Sequence, residues 1–220
     1  MEVTYEDIKR SQEIRTYITQ ADASLLALGF TEHSYAHVGR CAAIAGDLLR
    51  DLGYDGHTIE LCRIAAFMHD IGNVVNRNDH AQTGAVMAFR ILDKMGMPPA
   101  DVAAVITAIG HHDDSTAYPV NAVAAALILA DKTDVRRSRV RNKDLASFDI
   151  HDRVNYAVEQ SVTRLDRESG TFTLTLSINT QVCPVMDYFE IFLQRMILCR
   201  KAAEFFQLTF HLDINGQNLL

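Results

Sequence analysis

One helical stretch constrains the fold of this chain more than any other. Pro119 opens a segment, residues 120–137, in which the run from Ala122 to Ala130 is apolar at almost every position. A helix that is apolar all round is buried on every side, so we predict a helical bundle with this segment inside it. The segment also carries Asp131, directly after its apolar run. A buried carboxylate is costly unless it is paired or bound to a cation, so Asp131 needs a partner.

Five further helices are predicted before this segment. Apolar residues recur in them at helical spacing, and glycine follows four of them, at Gly29, Gly53, Gly96 and Gly110. Thr4 provides an N-cap for the first helix. The five predicted helices cover residues 4–28, 31–52, 58–69, 80–95 and 99–109.

The sequence pattern changes after about residue 145. Residues 154–165 alternate loosely, and residues 172–178 alternate apolar side chains with threonine and serine, which predicts a β-hairpin. A long amphipathic helix, residues 184–206, and another alternating strand, residues 208–214, follow. We therefore predict a mainly α protein with two domains. Residues 1–145 form the helical domain, and residues 146–220 form an α+β extension of order β-β-α-β.

Composition and charge argue against several classes of protein. Hydrophobic content of 48% and charged content of 22% are typical of a soluble globular chain. The net charge of −7 argues against nucleic acid as a partner. The first residues are acidic and polar, and no apolar run approaches the ~18–20 residues of a membrane span, so we expect neither a signal peptide nor a membrane contact. The four cysteines have no CxxC spacing, and we expect reduced thiols in a cytoplasmic protein.

Histidine and aspartate recur at the ends of the predicted helices. His69 and Asp70 end the third helix, while His33 and His37 lie four residues apart on one face of the second. Imidazole nitrogens and carboxylate oxygens both bind divalent first-row metals, so these residues indicate a metal centre with His69 and Asp70 at its middle. Its other candidate ligands are His80, His111, His112 and Asp131.

In this order the motifs resemble the HD superfamily of metal-dependent phosphohydrolases. The pattern H…HD…H…HH…D covers about residues 30–140, so the resemblance covers the helical domain and not the extension. It implies an HD-type helical bundle in which one ion is held by His37, His69, Asp70 and Asp131. It also implies a second ion at His80 and at one or both of His111 and His112, with Asp70 bridging a dinuclear metal site. Mixed histidine and carboxylate ligands suit one or two ions of iron, manganese, cobalt or zinc.

The resemblance implies a hydrolase that cleaves a phosphate ester or anhydride of a small molecule, which we expect to be a nucleotide. Water activated by metal would be the nucleophile, with His69 and Asp70 as the catalytic residues. Many relatives read HDIGK, where the lysine contacts phosphate, but this chain has Asn73 there. Our candidates for substrate binding are therefore His33, Asn73, Arg77, Lys132, Arg136 and Arg137. The Gly-Tyr-Pro of the cyclic-dinucleotide branch is absent after His112, which disfavours that substrate.

Several alternatives stay open at the level of sequence. A few HD-fold proteins use two irons to activate oxygen, and a domain that has kept its ligands but lost turnover would act as a binding or regulatory module. His33 is equally consistent with a capping role, and the arginines from Arg136 to Arg141 with a solvated helix face. The C-terminal extension either caps the site and selects the substrate or forms a homodimer by pairing edge strands.

Overall fold

α-Helices make up most of the fold, and a small sheet lies near its C-terminal end. The computed structural model describes residues 3–219. The helices are α1 (Tyr5–Arg10), α2 (Gln12–Ala27), α3 (Tyr35–Asp51), α4 (Gly56–Met68), α5 (His80–Lys94), α6 (Pro99–Gly110), α7 (Ala122–Lys132), α8 (Ile150–Ala157) and α9 (Val185–Phe205). The strands are β1 (Val158–Asp166), β2 (Thr171–Ile178), β3 (Thr209–Ile214) and β4 (Gln217–Asn218). The prediction of a mainly α fold with an α+β extension is confirmed.

Helix α7 is the centre of the bundle. Every residue from Val123 to Ala130 is buried, and the helix packs against α3, α4, α6 and α9. The interior position that its apolar surface predicts is therefore confirmed. Asp131 lies near the end of α7, where its side chain keeps 13% exposure. Because α9 belongs to the C-terminal extension, the hydrophobic core runs without interruption from the bundle into the extension. The boundary at residue 145 stays a prediction.

The N-terminal helix is divided into two, which the sequence did not indicate. We predicted one helix over residues 4–28, but Ser11 is extended, with φ −61° and ψ 116°, and separates α1 from α2. The Ser11 side chain accepts a hydrogen bond from the backbone of Ile14, so it caps α2. Serine competes with helical hydrogen bonds in this way. The capping box of Thr4 with Asp7 is present at the start of α1.

Two other boundaries differ from those predicted. Helix α7 ends at Lys132, five residues before the predicted end, and a 3₁₀ turn follows at Arg137–Arg139. Residues 154–157 belong to α8 rather than to a strand, because Asp149 caps a short helix whose Val154 and Ala157 face the core. Strand β1 begins only at Val158.

The sheet has the order β1-β2-β3-β4. Strands β1 and β2 form the predicted antiparallel hairpin, and β3 lies parallel to β2 after the crossover through α9. The buried face of β2 carries the alternating apolar residues of the sequence pattern: Phe172, Leu174, Leu176 and Ile178. The β-β-α-β order is thus confirmed, with the short strand β4 added antiparallel to β3. Within residues 3–219, no helix has the length and apolar character needed to cross a membrane.

Candidate metal centre

Five chain segments bring their ends to one point in the bundle. His37 lies in the first turn of α3, and His69 and Asp70 directly follow α4. His80 begins α5, and two other residues complete the cluster, His112 after α6 and Asp131 near the end of α7. The helices around α7 thus place the residues that the sequence singled out beside one another.

Two glycines allow the chain from His69 to Gly72 to lie directly against the start of α5. A Cβ atom added to Gly72 would collide with the backbone carbonyl of His80 and with the backbone nitrogen of Gly84. A Cβ atom on Gly84 would lie 3.2 Å from the carbonyl oxygen of His69. The absence of a side chain at both glycines therefore lets the backbones come close enough to place His80 beside Asp70.

The first group of ligand atoms surrounds one oxygen of Asp70. The Nε2 atom of His69 lies 3.3 Å from Asp70 Oδ2, and that of His37 lies 3.7 Å from the same oxygen. Asp131 Oδ1 is 3.3 Å from His37 Nε2 and 3.8 Å from His69 Nε2. Three residues besides Asp70 thus converge on a single point.

The second group surrounds the other oxygen of Asp70. His80 Nε2 lies 3.5 Å from Asp70 Oδ1, and His112 Nε2 lies 3.9 Å from it. The two imidazole nitrogens are 3.2 Å apart. Asp70 therefore faces one group of ligands with each carboxylate oxygen, which is the arrangement of a bridging carboxylate.

The hydrogen bonds of the four imidazole rings fix which nitrogen faces the centre. Each Nδ1 atom lies beside an acceptor: the Asp134 carboxylate at 2.8 Å from His37, and backbone carbonyl oxygens at 2.7 Å from His69, 3.0 Å from His80 and 2.6 Å from His112. In the neutral ring the proton then sits on Nδ1, and the Nε2 lone pair points into the centre. Histidine ligands of metals are oriented by such partners.

Both carboxylates of the centre are held in the ionised form. Burial opposes ionisation of Asp70, but His69 outweighs it and keeps the pKa of Asp70 well below its ordinary value. The same holds for Asp131, where Lys132 and His37 overcome the effect of burial on the pKa. The Lys132 ammonium lies 2.8 Å from Asp131 Oδ2.

The pKa values of the histidines favour the neutral rings in the second group. Burial lowers the pKa of His80, and burial together with the nearby His69 lowers the pKa of His112 to about 3. Burial acts on His69 in the same direction, but Asp70 and Asp131 outweigh it and raise the pKa. A cation between these groups would replace the proton that His69 attracts.

Several buried atoms have the unmet interactions that a metal ion would satisfy. His69 Nε2 and Asp70 Oδ2 are buried without a hydrogen-bond partner among the described residues. The Nε2 atoms of His80 and His112 lie 3.2 Å apart although both rings donate through Nδ1. Arg77 lies 3.3 Å from the first of these atoms, whereas the second faces the lone pair of His80. Buried polar groups are rarely left in this state. The nitrogen and oxygen donors fit a divalent transition metal.

Asn73 lies beside the metal centre and orients a ligand. Its side-chain nitrogen donates to Asp70 Oδ1 at 2.9 Å, and its oxygen accepts from Arg77 at 3.3 Å. The side chain is buried, so its contacts are those of a residue that positions Asp70 rather than of one that receives substrate. Arg77 also lies 3.3 Å from His80 Nε2.

The other predicted substrate-binding residues divide into two sets. His33 and Lys132 line the recess at the metal centre. Arg136 instead donates to the buried Asp134 at 2.5 Å and 3.0 Å, and Arg137 donates to the backbone of Tyr156. Both arginines line a different surface depression, because α7 ends at Lys132 and the chain turns away from the recess.

His111 differs from its neighbour His112. The residue is the C-cap of α6, and among the described residues its side chain, unlike that of His112, does not lie within 4.0 Å of the Asp70 carboxylate. Its buried Nδ1 atom has no hydrogen-bond partner in that part of the chain. The structure therefore brings His112 of this pair into the centre, where the resemblance implied one or both.

Other residues of the site, apart from Arg139 in the run of arginines from Arg136 to Arg141, had no signal in the sequence that assigned them to it. Asp134 orients His37, and Cys41 places its Sγ atom 3.7 Å from Nδ1 of the same ring. Burial raises the pKa of Cys41 well above its ordinary value, so the group is a neutral thiol. Arg139 and Arg195 line the recess. Only the short distance of Asp134 from Asp131 along the chain could have pointed to one of them.

A cavity of about 260 Å³ opens from the recess. The recess itself has a volume of about 20 Å³, enough for an occupant the size of a water molecule. Four residues line both spaces, namely His33, Arg77, Arg139 and Arg195. Burial, together with Arg139, lowers the pKa of His33 well below its ordinary value, so its ring is neutral. Helices α8 and α9 of the extension form part of the cavity wall.

The fold and this centre define the class of protein to which the chain belongs. The HD domain family matches residues 34–153, which include His37, His69, Asp70, His80, His112 and Asp131. The chain is therefore a member of the HD domain family, whose superfamily comprises metal-dependent phosphohydrolases. The resemblance seen in the sequence is confirmed.

A curated relative supports the same assignment. The chain is similar to ribonuclease Y of Cutibacterium acnes (strain DSM 16379 / KPA171202), with 30% identity over 151 residues. The matched region is 66% of this chain and 25% of ribonuclease Y. The similarity thus concerns about a quarter of that relative.

Proposed function

We propose that the protein is a metal-dependent phosphohydrolase that cleaves a phosphate ester or anhydride of a small molecule, with a nucleotide as the expected substrate. The observation that carries the proposal is the position of Asp70. Its Oδ2 atom faces His37 and His69, and its Oδ1 atom faces His80 and His112. A carboxylate between two histidine groups is the ligand set of a dinuclear site.

The residues have distinct roles in this proposal. His37, His69 and Asp131 would hold one ion with Asp70, and His80 and His112 would hold the other. Two such ions lower the pKa of a bound water toward neutrality and offset charge on a phosphoryl oxygen. Iron, manganese, cobalt and zinc all fit these donors.

The remaining groups keep the ligands in place. Lys132 is almost fully buried between Asp131, at 2.8 Å, and Asp114, at 3.0 Å. We therefore assign Lys132 to positioning Asp131, although the sequence suggested phosphate binding. Asn73 has the corresponding role at Asp70 Oδ1. Arg77 then takes the place of the missing lysine and meets the phosphoryl group from the side of His80.

The volume of the cavity favours a small substrate. At about 260 Å³ it lies just below the range of about 300–1,000 Å³ that ligand pockets of proteins occupy. By its name the relative ribonuclease Y acts on RNA, which makes an RNA phosphodiester the second candidate substrate. The net charge of −7 and the limited cavity support a small phosphorylated compound over a polymer.

The contribution of α9 to the cavity wall supports capping and substrate selection as the role of the extension. The homodimer through edge strands and the cytoplasmic location stay predictions.

Metal content and turnover test the proposal together. The purified protein, loaded with manganese, iron, cobalt or zinc, is assayed for phosphate release from nucleoside mono-, di- and triphosphates, simple phosphate esters and a short RNA. Asp70→Asn keeps the size of the side chain but removes the bridging charge. We expect it to lose activity and metal affinity by at least about a hundredfold, beyond the effect of removing an outer partner of a ligand. Asp93→Asn, on the exposed side of α5, is the matched control.

Three results would contradict the proposal. Full metal content and activity in Asp70→Asn would remove Asp70 from the centre. Oxygen consumption by an iron-loaded protein, without phosphate release, would favour an oxygenase. Tight binding of one nucleotide without turnover in any metal would favour a regulatory domain.

A further inference from the structure

The cavity beside the metal centre contains arginine nitrogens that the protein itself does not use. Arg195, on α9, donates through Nε to Asp114 Oδ2 at 3.0 Å. Arg139 donates through Nε to the carbonyl oxygen of Glu32 and through Nη1 to that of Asp134, both at 2.9 Å. Within residues 3–219, both terminal nitrogens of Arg195 and the Nη2 atom of Arg139 have no hydrogen-bond acceptor. These donors are fixed in place and available to a ligand.

A third arginine, Arg77, also has a terminal nitrogen without a hydrogen-bond acceptor among the described residues. Arg77 uses Nη1 for Asn73 and His80, and no acceptor among the described residues lies near its Nη2 atom. No carboxylate in residues 3–219 forms an ion pair with it. Its guanidinium lies 5.5 Å from the centre of the Phe30 ring, just as that of Arg195 lies 4.8 Å from the Phe192 ring. The aromatic rings hold both cations at the cavity wall.

The acids of the cavity do not balance these three cations. Asp149 is the one carboxylate among its lining residues, and it already caps α8 by accepting from the backbone of Asp152. Asp114 pairs with both Arg195 and Lys132, although Lys132 also pairs with Asp131. Arg139 lies 3.8 Å from Asp134, a carboxylate that it shares with Arg136. The cavity therefore keeps an excess of positive charge.

The reacting phosphoryl group does not account for this charge. Two divalent ions carry four positive charges, and the ligands Asp70 and Asp131 supply two negative ones. The charges that remain would offset the attacking hydroxide and part of a phosphoryl dianion, and Arg77 would meet the rest. The three arginines line the cavity of about 260 Å³ that opens beside the ligands. Because the proposed function assigns Arg77 to the reacting phosphoryl group, the charges of Arg139 and Arg195 are the ones available to another group.

We propose that this cavity binds a second anionic group of the substrate, a phosphate or a carboxylate that does not react, and that Arg195 is a specificity-determining residue for it. This inference rests on the proposed function, since it places the reacting phosphoryl group at the metal centre. It narrows the substrate to small compounds with two anionic groups. It also gives the C-terminal extension a part in recognition, because Arg195 comes from α9.

Matched pairs of compounds test the second group. For phosphate, the pair is adenosine 5′-phosphate and adenosine 3′,5′-bisphosphate. For carboxylate, the pair is glycerol 3-phosphate and 3-phosphoglycerate. Each is assayed with the manganese-loaded wild-type protein, with Arg195→Gln, and with Arg200→Gln. Arg200 lies on the same helix and is exposed, and among the described residues its one ion pair is with Glu204 one turn away, so it is the control for loss of a charge from α9.

We expect the wild type to prefer the compound with two anionic groups by about tenfold or more in kcat/KM within at least one pair, the effect of a hydrogen bond between charged groups. Arg195→Gln should reduce this preference to about threefold or less through a higher KM. The loss of kcat/KM should be clearly smaller for the compound with one anionic group than for its partner with two. Arg200→Gln should behave as wild type. The pair that shows the preference identifies the group as phosphate or carboxylate.

Calorimetric titration of the same four compounds separates this inference from the proposed function. If none is hydrolysed but binding of one two-anion compound weakens about tenfold in Arg195→Gln, the subsite stands and the hydrolase proposal fails. Hydrolysis without a preference in either pair overturns the subsite alone. An equal loss for both members of a pair also overturns it, because Arg195 would then act through Asp114 and Lys132 on the metal centre.

Discussion

Replacing Gly72 by alanine should test whether the backbone at Gly72 is in rigid contact with the backbone of α5. The backbone at Gly72 does not have a positive φ angle, so alanine can adopt it without strain. Its Cβ atom would nevertheless collide with the carbonyl group of His80 and the nitrogen of Gly84. These atoms belong to the backbone of α5 and cannot rotate away as a flexible side chain can.

The expected magnitude follows from that collision. Overpacking costs about 1–3 kcal/mol, and the rigid obstacle places Gly72→Ala at the upper end, about 3 kcal/mol. For a chain of this size, the melting temperature should fall by about 6–12 °C. Gly39→Ala is the control, because no atom lies within 4 Å of a Cβ at this position inside α3. It should gain up to about 1 kcal/mol from helix propensity and melt about 2–4 °C higher.

Circular dichroism of the metal-free proteins measures both shifts, and elemental analysis after metal loading measures the ions bound per chain. Gly72→Ala should bind fewer ions, because displacement of α5 moves His80 away from Asp70. A melting temperature within 2 °C of the wild type, with full metal content, would refute the argument that these two backbones are in rigid contact.

Two other predictions concern the partners of the ligands and their protonation. Asp134→Asn removes the charge that accepts from His37 Nδ1, so metal affinity in competition with a chelator should fall about 10–100-fold, and an unchanged affinity would contradict this role. His112 has its pKa lowered from 6.5 to about 3 by burial and by the nearby His69, so below pH 6.5 the unfolded chain binds a proton there that the folded chain excludes. The free energy of unfolding of the metal-free protein should therefore fall from pH 6.5 to pH 5, by at most about 1.4 kcal/mol per pH unit from this residue. Chemical denaturation at both values measures the slope, which should be shallower in His112→Gln; equal slopes would contradict the lowered pKa.

The ligands could be predicted because helical periodicity determines where helices end. His69 and His80 lie at the ends of predicted helices, and a bundle brings such ends together. Asp131 was predicted inside a helix, and the structure places it near the end of α7. The apolar surface of α7 predicted its burial, and burial in turn explains why Asp131 needs Lys132 and the imidazoles around it.

The substrate side of the site could not be predicted in the same way. We expected α7 to continue to residue 137, which would have kept Arg136 and Arg137 on the helix that carries Asp131. The helix ends at Lys132, and Arg136 turns to the buried Asp134 instead. Arg195 lies on an amphipathic helix where the sequence does not distinguish it from a surface charge. Only the packing of α9 on α7 brings it to the cavity.

The ligands lie in the helical bundle and Arg195 lies on α9, and this separation along the chain has a consequence for the order of events during synthesis. All the ligands that converge lie between His37 and Asp131, whereas Arg195 is 64 residues further along the chain. At about 5–20 residues per second, these residues take roughly 3–13 s to be made. Before α9 packs, one side of α7 lacks its cover and the cavity lacks a wall. The nascent chain thus contains every metal ligand seconds before it can form a complete site for its substrate.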